Sequence, residues 1–216
     1  MATQSEVVSA ARSGDIDKLR ALLRDNPPLA SARDASGVSA LMHAYYRRQP
    51  GAAELLLSAN ASLDIFEATA AGKAEKASAI LQTDPDTANS WSADGFTALH
   101  FAAFFSRLEI ARDLIRHGAD VAPVARNPMK VMPLHSAAAA RSGEIVRLLV
   151  QNGAPTNVPQ EGGWVPLHQA AQIGDVEMVR VLLEYGADPQ LRNNDGRTAA
   201  DIAQSKGYEE IVRLLA

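Results

Sequence analysis

Apolar residues recur along this chain at three- and four-residue intervals, in short bursts that end at glycine-containing turns. The clearest stretch runs from Asp94 to Asp120, DGFTALHFAAFFSRLEIARDLIRHGAD. Asp94-Gly95 is a turn pair. Ala98, Leu99, Ala102 and Ala103 line one side of a short helix, Ser106-Arg107 breaks the pattern, and Leu108, Ala111, Leu114 and Ile115 stripe a second helix. Gly118 stands where a helix closes in the left-handed conformation that glycine adopts without a Cβ penalty. A helix pair this short cannot bury its own apolar stripe, so it needs neighbours of the same kind.

The chain supplies them. Ala-Leu-His at 98–100 returns as Pro-Leu-His at 133–135 and 166–168, with the histidines 35 and then 33 residues apart. Gly-Ala at 118–119 returns at 153–154 and 186–187 with the same intervals, and the second-helix stripe returns as Ile145, Leu148, Leu149, then Val179, Leu182, Leu183, then Ile211, Leu214, Leu215. The N-terminal half repeats with a step of 58: Gly14 maps to Gly72, Leu23 to Leu81, Gly37 to Gly95 and Leu41 to Leu99. From the last leucine of a second helix to the next first helix takes 18 residues at Leu23–Leu41, Leu81–Leu99 and Leu149–Leu167, but only 8 at Leu57–Ile65. The spacing predicts that the turn segment between the second and third units is deleted, leaving Asp64 as the N-cap of a directly joined helix.

The segments DGFTALHFAA, PLHSAAAARSGEIVRLLVQNGA, PLHQAAQIGDVEMVRVLLEYGAD and DGRTAADIAQSKGYEEIVRLL resemble the ankyrin repeat family, in particular stand-alone bacterial ankyrin proteins. The resemblance covers nearly the whole chain as a single domain, 1–216, with seven units at roughly 4–33, 34–63, 64–91, 92–125, 126–158, 159–191 and 192–216. It implies an all-α solenoid of antiparallel helix pairs with β-hairpin fingers, one finger being absent between units two and three. Contacts then run only between neighbouring units, and the end units carry polar outer faces. Arg12, Ser13, Asp15 and Lys18 at one end, and Gln204, Ser205 and Lys206 at the other, fit that requirement.

Composition narrows the function. There is no cysteine, which excludes disulfides and thiolate chemistry. The net charge of −4 is spread over the chain without a basic patch, which argues against nucleic acid as a partner. No apolar run approaches the roughly 18 residues that span a bilayer, and the first residues lack a signal-like apolar core. The chain is expected to be soluble, cytoplasmic and monomeric, with no cofactor and no membrane partner.

Three regularly spaced histidines raise the question of a metal. Equivalent atoms of adjacent repeats lie on the order of 10 Å apart, while zinc–nitrogen bonds are about 2 Å, so His100, His135 and His168 cannot share one ion. Each is expected to tie its helix to the adjoining turn. Met132 and Val165 stand where the family has threonine, which predicts a weaker hold on those fingers, and Met42 removes the histidine from the second unit. No glycine-rich phosphate loop or nucleophile–base pair is present, and Glu109, Glu144 and Glu177 recur at second-helix starts, where they oppose the helix dipole. An enzyme is not expected.

What remains is the variable face. The family resemblance implies a concave surface of finger tips and first helices that grips other proteins. Mapped onto this chain it contains Tyr46 and Arg47 in unit two, Ala70 and Ala71 in unit three, Phe96, Phe101, Phe104 and Phe105 in unit four, Met129, Lys130, Val131, Ser136, Ala139 and Ala140 in unit five, Trp164, Gln169, Gln172 and Ile173 in unit six, and Arg197, Ile202 and Ser205 in unit seven. Unit four holds four of the chain's five phenylalanines. These aromatics, flanked by Trp164, Met129 and Tyr46, read as an interface core, with Arg47, Arg107 and Lys130 as its polar rim. Phe104 is the one expected in solvent; Phe101 and Phe105 fit either the interface or packing between units, and Trp91 is expected beneath its finger. Two other readings stand beside a protein-binding module: self-association through the aromatic unit, and a small-ligand site in the notch between units two and three.

Overall fold

The computed structural model describes residues 3–59 and 61–216. Their fourteen α-helices form seven consecutive pairs: α1 (Gln4–Ser13) with α2 (Ile16–Asp25), α3 (Ala40–Tyr46) with α4 (Pro50–Ser58), α5 (Ile65–Ala70) with α6 (Ala74–Thr83), α7 (Ala98–Phe104) with α8 (Leu108–Arg116), α9 (Pro133–Ala139) with α10 (Gly143–Gln151), α11 (Pro166–Ile173) with α12 (Val176–Glu184), and α13 (Ala199–Lys206) with α14 (Glu209–Leu215). The odd-numbered helices pack on one another in an inner row, and most even-numbered helices in an outer row. The core lies between the rows, where Leu19, Leu56, Leu81, Leu114, Leu149 and Leu182 of the outer helices are fully buried. Leu81, Leu114, Leu149 and Leu182 are the leucines read from the sequence; in the second unit the buried leucine is Leu56 rather than Leu57, which is partly buried.

Local chemistry sets the helix ends. Thr3 and Glu6 close a reciprocal capping box on α1, and Asp15 and Asp175 cap α2 and α12. Asp64 caps α5 as the spacing predicted, accepting from the Glu67 amide at 2.8 Å. Gly118 follows α8 with φ +82°. Proline-led 3-10 turns at Pro27–Ser31 and Pro85–Asn89 follow α2 and α6; they share the 58-residue register but carry no apolar periodicity, so the pattern did not announce them. Asn89 bridges to the next pair by donating to the Gly118 carbonyl and accepting from the Asp120 amide, and Asn157 does the same with Gly186 and Asp188.

The fingers are hydrogen-bonded turns, with no named strand among the described residues and one isolated bridge, Arg33 with Ser39. Asp34–Val38, Ser92–Phe96, Gln160–Trp164 and Asn193–Arg197 are each closed by an amide of the first residue donating to the carbonyl of the last. Gly95 has φ +82°, and a Cβ there would lie 2.8 Å from the Arg126 carbonyl oxygen, so the tip of the Ser92–Phe96 turn both needs the left-handed conformation and leaves no room for a side chain.

The stack has a seam. Only residues 59–64 link α4 to α5, with no finger turn among those described, and α4 and α6 make little contact in the outer row. The buried side chains accordingly divide into one cluster over α1–α4 and a larger one over α5–α14. A small third cluster spans the gap: Met42, Ala70 and Phe101, with Tyr45, Phe66, Phe96 and Phe105 packed on it. Beside it, Arg33 donates to Asp64 at 3.0 Å and to Glu67 at 3.1 Å. Glu67 occupies the position that histidine holds in the later units, is 3% exposed, and is compensated by this arginine from the preceding finger.

Candidate functional site

Because α5 is short and ends in alanines, side chains of the second and fourth pairs meet across the third. The Tyr46 hydroxyl, at the end of α3, donates to an Asp94 carboxylate oxygen on the finger before α7. The other oxygen accepts from Ser92 at 2.6 Å. Burial first, then the hydrogen bond and charge of Asp94, push the Tyr46 phenol far above its ordinary range, so the hydroxyl stays a donor at any physiological pH. This bond joins the wall of a cleft of about 400 Å³ on the side of the finger turns and first helices. Tyr46, Asp94, Phe96, Phe101 and Phe104 line it from one side, and Met129, Val131, His135, Ser136, Ala139 and Gln160 from the other. The surface is largely apolar, of a size typical of ligand and anchor-residue pockets.

The four phenylalanines of the fourth unit have divided tasks. Phe101 is 3% exposed and packs edge-on against Phe66 at 6.1 Å and Phe96 at 5.6 Å. Phe105 is half-buried and rests against Tyr45 at 5.5 Å, sealing the seam away from the cleft. Phe96 is half-buried on the finger, and Phe104 is 52% exposed at the cleft mouth, with its ring perpendicular to Phe105 at 5.0 Å. Met129, on the next finger, is 54% exposed, and Tyr46 38%.

Eight of the variable-face residues mapped from the sequence thus share the cleft: Tyr46, Phe96, Phe101, Phe104, Met129, Val131, Ser136 and Ala139. Arg47 and Lys130 are exposed but do not line it. Arg107 is turned inward, donating twice to the Ala70 carbonyl at 3.0 and 3.3 Å, where it closes the C-terminal end of α5 and occupies the space above Gly72. This is a tie between units rather than a rim position. Trp164 is half-buried against His168 at 5.8 Å, and Gln172 is half-buried on α11; neither reaches the cleft. Trp91 lies under Arg126, whose guanidinium sits 4.1 Å from the ring centroid. Asp94 and Gln160 belong to the cleft although nothing in the apolar pattern marks them; Asp94 read only as a turn former, and its partner Tyr46 is 48 residues away.

The histidines hold the frame. In His100, His135 and His168 the Nδ1 accepts the backbone N–H of the residue three before it, at 3.1 Å in each case. His100 Nε2 pairs with the Val131 carbonyl and His168 Nε2 with that of Leu191, both at 3.1 Å. Thr97 adds its hydroxyl to His100 at 2.9 Å, but Val165 has none and His168 keeps both remaining bonds, so the hydroxyl does not decide the hold on the finger. His135 is the exception. Its Nε2 faces the Val158 and Trp164 carbonyls without forming a hydrogen bond, and the Trp164 carbonyl is taken by the Gln160 amide at 2.9 Å. Burial lowers His100 and His135 to about 4, keeping both neutral. The second unit, lacking the motif histidine, is tied instead by His43 Nε2 and the Asp34 carboxylate at 2.7 Å.

Among the described residues no group of three or more histidines and acidic side chains gathers as a metal site, and no helix is long and apolar enough to cross a membrane. The notch between the second and third units is a cleft of only about 80 Å³, lined by Arg33, Met42, Glu67, Trp91 and their neighbours. That is well below the roughly 300 Å³ at which ligand pockets begin.

Stacked helix pairs, finger turns closed by a backbone-bonded histidine, and an apolar cleft on the finger side define a helical repeat solenoid of the kind that presents one long face to other molecules. The family model described as Ankyrin repeats (3 copies) matches residues 65–160 and 134–216. The chain belongs to the ankyrin repeat family, whose members are in general protein–protein interaction modules and typically not enzymes.

Proposed function

We propose that this chain is a non-enzymatic binding module that takes a protein partner on its concave face, with the aromatic cleft as the centre of the interface. The observation that carries this reading is the exposure of Phe104 and Met129 at the mouth of an apolar cleft. The fold has no need of large apolar side chains there, since small or polar residues satisfy the same helix and turn positions, and leaving them in water forgoes the burial energy they would otherwise gain. Interfaces of this kind bury roughly 800 Å² per partner, and a few central aromatic anchors supply most of the affinity. Arg47 and Lys130 stand nearby as rim charges, which tune association more than affinity.

A photo-crosslinking amino acid placed at Phe104, compared with one at Glu144 on the outer row, tests the assignment in the cell of origin. Crosslinks to one protein from position 104 and none from 144 support it; equal labelling from both overturns it. Self-association through the same patch is the second reading. Light scattering over a micromolar concentration series separates the two, because a constant monomer mass excludes it.

A further inference from the structure

Taking the cleft as the partner's site, we infer that the group it receives is the alkylammonium side chain of a lysine. The cleft combines two features that one such side chain satisfies together. Its walls are apolar and aromatic, with Phe101, Phe104 and Met129 suited to an aliphatic stem and the exposed Phe104 ring available to a cation. Its one acidic lining residue is Asp94, and no lysine, arginine or histidine nitrogen among the described residues comes within 4.0 Å of that carboxyl group.

Asp94 is also held in place in advance. The Tyr46 and Ser92 hydroxyls each donate to one of its oxygens, fixing the carboxylate against the cleft while leaving it without an ion-pair partner among the described residues. Two neutral donors stabilise a carboxylate without neutralising it, so a cation arriving beside an apolar wall gains both the charge and the exposed ring. The same two bonds discriminate between the basic side chains. A guanidinium gains most from two free carboxylate oxygens side by side, and here each already has a hydroxyl donor; a compact ammonium needs only one remaining lone pair. An uncharged apolar anchor fills the walls but leaves Asp94 desolvated and unpaired, which costs affinity.

The probes are n-hexylammonium, n-hexylguanidinium and n-hexanol, titrated into the full chain at 0.15 M salt and followed by NMR on the Met129 methyl and Phe104 ring signals. The ammonium is expected to bind about five-fold or more tightly than the alcohol, the gain of one cation on an aromatic wall beside a carboxylate. Asp94→Asn keeps an Asx-Gly turn and an acceptor for Tyr46, and should bring the ammonium down to the alcohol's affinity. Alcohol binding as tight as ammonium, a preference that survives Asp94→Asn, or tighter binding of the guanidinium overturns the inference while leaving the cleft as an apolar anchor site. If all three probes leave both signals unmoved, the cleft assignment falls with it.

Discussion

Replacing Phe101 with alanine should divide the stack at its seam. Elsewhere in the outer row each helix leans on the next, but α4 and α6 barely touch, and the buried core separates into two clusters there. Phe101 is 3% exposed and shares a buried cluster with Met42 of α3 across the seam, while Phe66, Phe96 and Phe105 converge on its ring at 6.1, 5.6 and 6.5 Å. Truncating a buried phenylalanine costs about 3–5 kcal/mol, and stacked repeats share stability only through their nearest-neighbour interfaces. The loss should therefore fall on the coupling between α1–α4 and the remainder rather than on the whole chain. Urea titration can be read by two probes with different reach. Far-UV circular dichroism reports every helix, whereas tryptophan fluorescence recorded in a Trp91→Phe background, because Trp91 lines the notch at the seam, reports only Trp164, beyond it. In the variant, the dichroism transition should begin about 3 kcal/mol earlier than the fluorescence transition, with amides of α1–α4 exchanging first. A single coincident transition, displaced by less than about 1 kcal/mol, would refute the reasoning that this ring holds the two parts together.

Other outcomes follow from the same geometry. Arg33→Ala leaves Glu67, 3% exposed, without its counter-charge; the arginine is itself partly exposed, so a loss of about 1–2 kcal/mol is expected in thermal unfolding, with part of it recovered by Arg33→Lys. Gly95→Ala puts a Cβ 2.8 Å from a backbone oxygen at φ +82°, whereas Gly118→Ala has the same φ and open space; the first should cost at least about 1 kcal/mol more than the second by chemical denaturation. Stability should also fall in mild acid. Burial holds His100 and His135 at about 4, below the ordinary 6.5, so the unfolded chain binds protons that the folded chain refuses. Their contribution is complete above pH 6.5 and is lost as pH falls toward 4, by on the order of 3 kcal/mol per histidine, as unfolding free energies across that range will register. Below pH 4 the Asp34 carboxylate, held low by Ser36, His43 and the Val38 amide, adds a further loss in the same direction.

The repeat skeleton was legible because it is written in apolar periodicity and turn glycines: Leu114, Leu149 and Leu182 and the Asp64 cap stand where spacing put them. The cleft was legible only in part. Register placed Phe104 in solvent, where it is 52% exposed, but it left Phe101 and Phe105 open between the interface and packing between units. What separates them is the short, alanine-terminated α5, across which Tyr45 meets Phe105 and on which Phe66 meets Phe101. Tyr46 with Asp94 and Arg33 with Glu67 are contacts across 48 and 34 residues between polar groups, and polar pairing leaves no periodic trace. Arg107 illustrates the converse: its charge suggested a rim, yet its position beside the alanine-terminated α5 makes it a cap for the Ala70 carbonyl.

The central claim is that the cleft mouth, rather than the fold in general, carries recognition. It is tested most directly by purifying the protein crosslinked at position 104 and titrating it against wild type and Phe104→Ala by calorimetry, with both unfolding curves measured alongside. The account expects unchanged stability to within about 1 kcal/mol, because the ring is 52% exposed, and affinity weakened by about 2 kcal/mol, near thirty-fold. Equal affinity for a fully folded Phe104→Ala chain would contradict it.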